Sequence, residues 1–383
     1  MLVTTQHSAK NRTTGLSDRV KRKEPENMIH GCQSSRRQNW LSVGAAIGLI
    51  SGAFSAWGSV VDDFRFETSD FMRETAYRQA DRLAANIDPS GALSPVNIQW
   101  NKTHTGPWYV EEQRYGADAV CGGIADQNTA TIERGLKVLH WGFEQQQSDG
   151  SFSCPDAFHS TSFLVEAAAH ACLILNASQY AKQYADEVNW LKPRILKAAN
   201  WMTVPAVEAN GKKHNAPYTH RRYLVGAALG EAGVLCSDES LIAKSQSYIR
   251  EGIALQDPSG FNPEKGGFDV SYHAVGLFYA DRYYDLVADA GIKPPLVNML
   301  KKGYAWLSER IHADGTIDAA GSTRVGVKQE ISRNGVPKRL DYSVTYRGLY
   351  HWSSISQDTS YAELAKRAFA GEKIYREQLR MSS

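Results

Sequence analysis

The chain is poor in cysteine and in the short motifs that mark common enzyme classes. Its 383 residues include five cysteines, with no Cys-x-x-Cys pair and no Cys/His cluster at zinc spacing, so neither a structural metal nor a cofactor is expected. Cys121 and Cys154 lie in Gly-rich, loop-like surroundings and could pair. Cys172 and Cys236 fall in apolar helical stretches and read as buried thiols. No phosphate-binding Gly loop, dinucleotide fingerprint, Gly-x-Ser-x-Gly elbow or His-Glu-x-x-His pair is present. Alternating strand patterns are sparse. Net charge is small, with 43 Lys/Arg against 41 Asp/Glu. Residues 1–61 carry eight Lys/Arg and three Asp/Glu, which leaves the rest of the chain at −3. Bulk charge therefore argues against nucleic acid as a partner.

Residues 1–40 are polar and include the basic runs Lys21-Arg22-Lys23 and Arg36-Arg37, a composition that suits disorder. From Leu41 to Val61 no residue is charged. A basic flank, an apolar run and the small residues around Ala53-Phe54-Ser55-Ala56 read as a signal peptide cleaved near Ala56, with Met28 as an alternative start. The other reading is an uncleaved membrane tether. Both place residues 62–383 outside the cytoplasm as one catalytic domain, periplasmic or secreted, or anchored in the inner membrane.

What the body does contain is a recurring turn. Asp88-Pro89-Ser90-Gly91, Asp149-Gly150-Ser151, Asn210-Gly211, Asp257-Pro258-Ser259-Gly260 and Asp314-Gly315-Thr316 place glycines at steps of 59, 61, 49 and 55 residues. That period fits one long helical hairpin and its loop. Apolar spacing predicts helices over 66–86, 128–146, 157–175, 178–202, 218–234, 238–254, 270–288, 292–312, 341–354 and 359–378, with 88–125 irregular. Some, such as 178–202 and 359–378, are amphipathic. Others, such as Phe163–Ala169 and Tyr223–Leu229, are apolar nearly all round and must be buried. Their alternation implies an outer and an inner ring of helices: an all-α (α/α)6 toroid, or an incomplete ring of that kind.

In such a ring the inner helices all begin at one end. The starts here are His159-Ser160-Thr161, Asn215 to Tyr223, Asp269-Val270-Ser271-Tyr272-His273 and Asp341 to Arg347. N-capping explains the Asp, Ser and Thr residues. It does not explain His, Tyr and Arg recurring at the same ends, which points to a site on that rim. The stretch 320–340 adds Arg324, Lys328, Arg333, Lys338 and Arg339 against Glu330 alone, a local field able to guide a polyanion.

The segment Gly266–Leu277, with Ser271-Tyr272-His273, resembles the serine–tyrosine–histidine helix start of toroid-fold polysaccharide lyases of the alginate, heparin and glucuronan lyase type. Thr219-His220 is similar to the asparagine–histidine pair those lyases carry on an earlier inner helix, with Thr219 in the place of the Asn, so Asn215 is the candidate to supply an amide. The resemblance implies cleavage of a uronate-containing acidic polysaccharide by β-elimination, without a cofactor or metal. It implies Tyr272 as base and acid, and His220 with Asn215 as carboxylate neutralisers. Arg222, His273, Arg324, Arg333, His159 and Tyr346 are the candidate substrate-binding residues. These residue types suit the chemistry. The proton on C5, alpha to a charged carboxylate, is too weakly acidic unless donors stabilise the charge that develops. A phenol can give and take protons when nearby cations stabilise its anion. Adjacent helical residues diverge by about 100°, which turns His273 away from Tyr272.

Two other readings compete. A glycoside hydrolase on the same ring needs a carboxylate pair, for which Asp149, Asp156, Glu264, Asp269 and Asp314 are candidates. A non-catalytic polysaccharide-binding protein would keep the aromatics and basic loops. Gln145–Phe152 also resembles the glutamine-rich turns of terpene cyclases, but no Asp-rich motif accompanies it.

Overall fold

A computed structural model describes residues 69–75, 87, 90–93, 109–326, 330, 331 and 337–381. The segments 1–40 and 41–61, most of the helix expected at 66–86, Trp100, Trp108, Lys328 and Arg333 lie outside the described residues. Twelve helices follow Tyr109 among them: α1 Tyr109–Glu112, α2 Tyr115–Ala125, α3 Thr129–Glu144, α4 Ala157–Ala177, α5 Ala185–Thr203, α6 Pro205–Asn215, α7 His220–Cys236, α8 Glu239–Leu255, α9 Val270–Leu286, α10 Lys293–Ser308, α11 Tyr342–Ser356 and α12 Thr359–Met381. A two-residue hairpin, β1 Pro263–Glu264 with β2 Gly267–Phe268, precedes α9.

Among the described residues, five hairpins are formed by α2/α3, α4/α5, α7/α8, α9/α10 and α11/α12. Their first helices are the buried ones: α4, α7 and α9 bury residues on every side, whereas α5, α8 and α10 bury one stripe. The first helices also pack in order, α2 on α4, α4 on α7, α7 on α9 and α9 on α11. Arg347 of α11 then meets Asp118 of α2 at 2.8 Å, joining the last inner helix to the first. Phe71 stacks on Tyr350 of α11 at 4.4 Å between ring centroids, so the helical turn at 69–75 packs against α11. The architecture is an all-α toroid.

The repeated turn locks α3, α8 and α10 each to the hairpin that follows. Asp149, Asp257 and Asp314 each accept, through Oδ1, the backbone N–H two residues on, at 2.9 Å in each case. Gly150, Gly260 and Gly315 adopt φ of +99°, +110° and +84°, which only glycine tolerates cheaply. Each glycine also lies against a carbonyl of the following outer helix, that of Lys197 in α5, Lys302 in α10 and Arg367 in α12. Gln146 and Gln256 clamp the same junctions, donating to Gly150 and Arg194 carbonyls and to Gly260 and Met299 carbonyls respectively.

Three expectations are corrected. Asn210-Gly211 is not a turn but lies inside α6, which Pro205 starts at a position where its missing N–H costs nothing. Gly211 is there because α6 rests on the Phe158 ring. The stretch 109–125, expected to be irregular, is helical. Its glycines weaken local propensity, but Gly116 and Gly123 let α2 approach Gly135 and Ile132 of α3 closely, and tertiary packing wins. No disulfide joins Cys121 to Cys154: Cys121 is buried in α2, and the Cys154 thiol donates to the Phe152 carbonyl.

A Cβ on Gly371 of α12 would overlap the backbone of Gly315 and Thr316. Gly371→Ala should therefore cost about 1–3 kcal/mol in urea unfolding. Gly266→Ala, at a positive φ with nothing within 4 Å, should cost roughly 1 kcal/mol from backbone strain alone.

Candidate active site

The N-terminal ends of the inner helices surround a cleft of about 1040 Å³. His159 of α4, His220 and Arg221 of α7, Tyr272 of α9, and Arg324 and Lys338 from the loop between α10 and α11 line one end of it.

Two buried carboxylates assemble this end. Asp269, with no exposed surface, caps α9 by accepting the Tyr272 N–H at 3.0 Å. Its second oxygen accepts the N–H groups of Arg324 at 2.8 Å and Val325 at 2.9 Å. One side chain thus sets both the start of the tyrosine's helix and the loop that carries the arginine. Glu264, also fully buried, projects from the β1–β2 hairpin, whose turn residues Lys265 and Gly266 have φ of +51° and +82°. That primed turn matches the twist of a two-residue hairpin. The Glu264 carboxylate accepts the His220 backbone N–H at 3.0 Å and pairs with its Nδ1 at 2.7 Å. The carboxylate holds the proton on Nδ1, which leaves the lone pair on Nε2. Burial, the largest influence, holds the His220 imidazole below its ordinary value; Glu264 opposes this, while Arg324 and Arg221 add to it. The ring is neutral at pH 7.

The rings of His220 and Tyr272 lie 4.8 Å apart between centroids. Lys338 Nζ donates to the Tyr272 hydroxyl at 3.0 Å, and the Arg324 guanidinium sits 3.5 Å from the centre of the Tyr272 ring. Glu330 clamps the two cations, accepting from Arg324 Nε at 2.7 Å and lying 3.1 Å from Lys338 Nζ. Lys265 Nζ reaches its other oxygen at 2.9 Å. These cations hold the Glu330 carboxyl down at about 2 against the cost of burial.

The expected residues divide into groups. Tyr272, His220, Arg324 and His159 come together, His159 lying 6.5 Å from His220 between ring centroids. Asn215 is buried and does not line the cleft; its Oδ1 accepts from Arg221 at 2.8 Å. Arg222 turns back on its own helix start, donating to the carbonyls of Tyr218 and Asn215. His273 has no exposed surface; its Nδ1 accepts the Asn262 N–H and its Nε2 donates to the Gly303 carbonyl, both at 3.0 Å. Burial pushes its imidazole down to about 4, so it is a neutral strut between α9 and α10. Tyr346 packs against Phe71 and Phe369. In the sequence Lys338 and Glu330 stand only as members of a charged loop. No period in the sequence says which loop residue folds back onto a helix start, so their contact with Tyr272 had no local signal. Glu264, a candidate for a hydrolytic pair by sequence, orients a histidine.

Of the other candidate carboxylates, Asp149 and Asp314 hold turns, Asp269 caps α9, and Asp156 pairs with Arg221 at 3.1 Å. The deeper wall of the cleft pairs Arg282 with Glu166 at 2.7 Å and sets Arg114 over the Tyr115 and Phe163 rings.

No protein-family model matches the chain, and no curated protein matches it. Among solved structures it is similar to a chondroitin AC lyase of Streptomyces coelicolor A3 in complex with chondroitin sulphate. The TM-score is 0.53 at 12% identity, covering 79% of this chain and 43% of that one. The likeness shows the toroid fold. The chain spans less than half the length of that lyase.

Because Glu330 is held below its unfolded value of 4.5, its contribution to stability is present above that value and is lost as pH falls toward about 2. Glu330→Gln should remove that acid dependence. It should also speed hydrogen exchange of the Arg324 and Val325 amides at neutral pH.

Proposed function

We propose that the protein is a polysaccharide lyase that cleaves an acidic, uronate-containing polymer by β-elimination. The observation that carries this reading is the pairing of a neutral, carboxylate-oriented imidazole with a phenol that accepts from Lys338, side by side at one end of a cleft. In the reaction, His220 Nε2 takes the C5 proton, and the electron pair of that C–H bond forms the C4=C5 double bond as the C4–O4 bond breaks. The Tyr272 hydroxyl gives its proton to the departing O4. His220 is left as imidazolium beside Glu264, and Tyr272 as phenolate beside Lys338 and Arg324, so each new charge forms against a partner already in place. Transfer of the proton from His220 back to Tyr272 restores the starting state.

These roles differ from those of the resemblance, which gives Tyr272 both proton transfers and His220 the uronate carboxylate; here His220 is the base, Tyr272 the acid, and the carboxylate falls to the cations at the same end, Arg324, Lys338 and the exposed Arg339. Asn215 acts at one remove, by holding Arg221. Arg333 belongs to the same basic loop in sequence and is proposed with them. The engagement of all five candidate carboxylates elsewhere favours elimination over a two-carboxylate hydrolysis. The basic flank and uncharged run at 41–61 support export or tethering of the domain to a membrane, where such polymers are met.

Tyr272→Phe should retain polymer binding and lose formation of the conjugated, ultraviolet-absorbing product by about 10²–10⁴-fold. Unchanged turnover in this variant would remove the reading. The acid limb of kcat/KM should lie below pH 6.5, because burial lowers His220. Glu264→Gln takes away the group that raises it, so the limb should move further down while the rate falls.

A further inference from the structure

Between inner helices α4 and α7, with Glu166 at the wall of the cleft, lies a second cluster that the elimination chemistry does not use. Glu166 and His170 are four residues apart on α4, which puts them on one helical face. Glu231 meets them from α7. All three are buried, with 2%, 1% and 0% of their surfaces exposed. One donor atom from each lies within 4.8 Å of the other two.

Their charges do not balance. Arg282 from α9 pairs with Glu166 Oε1 at 2.7 Å and offsets one carboxylate. The second, Glu231, has the His170 Nδ1 at 3.3 Å from Oε2 and shares the same Arg282 charge with Glu166, so one guanidinium faces two carboxylates, and its Oε1 has no hydrogen-bond partner. An ionised carboxylate in such surroundings is costly unless a positive charge joins it. Burial raises the Glu231 carboxyl to about 7, which expresses the same deficit. Two carriers can supply the charge: a proton or a metal ion.

We propose that Glu166, His170 and Glu231 bind a divalent transition-metal ion of the zinc class. One imidazole and two carboxylates form a mixed nitrogen and oxygen set, which suits such ions better than the all-oxygen sets of calcium or magnesium. Three protein ligands leave a fourth position, and Glu166 and Arg282 both line the cleft, which provides the route of entry. The ion would tie α4 to α7 at the level where Arg282 already ties α4 to α9. The site stands apart from the proposed lyase reaction, and no step of that reaction passes through it.

The test is calorimetric titration of the full, chelator-stripped chain with zinc chloride, beside Glu231→Gln and His170→Gln. The expected result is one equivalent taken up by the wild type, with a rise in Tm, and loss of that equivalent in both variants. Cobalt(II) added to the unsubstituted chain should give visible absorption bands of mixed nitrogen and oxygen ligation, a readout that needs no variant to fold. No zinc uptake by the wild type overturns the proposal. So does uptake that both variants retain, which would put the ion elsewhere. Without metal, Glu231→Gln should be at least as stable as the wild type, because it removes an uncompensated charge.

Discussion

The buried carboxylate of Asp269 is the constraint on which the rest of the cleft depends. It accepts three backbone N–H groups, one from the first turn of α9 and two from a loop 55 residues further on. A fully buried carboxylate is tolerable only when its lone pairs are so occupied. Once they are, Tyr272 and Arg324 have no freedom relative to each other. Ser271 extends the same logic to the next hairpin, its hydroxyl accepting the Asp341 N–H at 2.8 Å. The starts of α9 and α11 and the Arg324-Val325 backbone are therefore tied to one another.

Around these residues, the neutral His220 and the Tyr272 phenol each lie against charged partners. His220 is kept uncharged by burial, yet Glu264 waits on its far side. The Tyr272 hydroxyl and ring meet Lys338 and Arg324, whose charges are shared with Glu330 rather than quenched by it. Such an arrangement costs folding energy, because charges are drawn out of water. In the proposed reaction it would place compensation where charge develops, without reorganisation at that moment. The toroid makes this affordable: the glycine turns and the Ala/Gly-rich inner helices bring five polar helix starts to one rim, over a core that carries the stability.

Much of the architecture was legible in the sequence because hairpin repeats are local. Helical spacing, Asp caps and turn glycines act within a few residues, and nine helices beginning with 129–144 fall where periodicity puts them, although α5 starts at Ala185 rather than near 178. The misses share one cause. α2 and α6 are short, with glycines inside them, and are helical because a neighbour, α3 or Phe158, rewards close approach. Site residues followed the same division. Tyr272 and His220 open helices and were visible as such. Lys338, Glu330 and the orienting role of Glu264 depend on contacts 66, 6 and 44 residues away along the chain, and His273 and Tyr346 share the rim in sequence but face the interior.

By itself, the sequence determined the period, the helix type and the end of the ring where polar aromatic residues gather, because these follow from spacing along a single chain. Only the tertiary structure decided which of those residues meet. A helix start fixes where a side chain begins, but its partner comes from another hairpin, and what that partner does to its charge depends on burial that no local pattern carries.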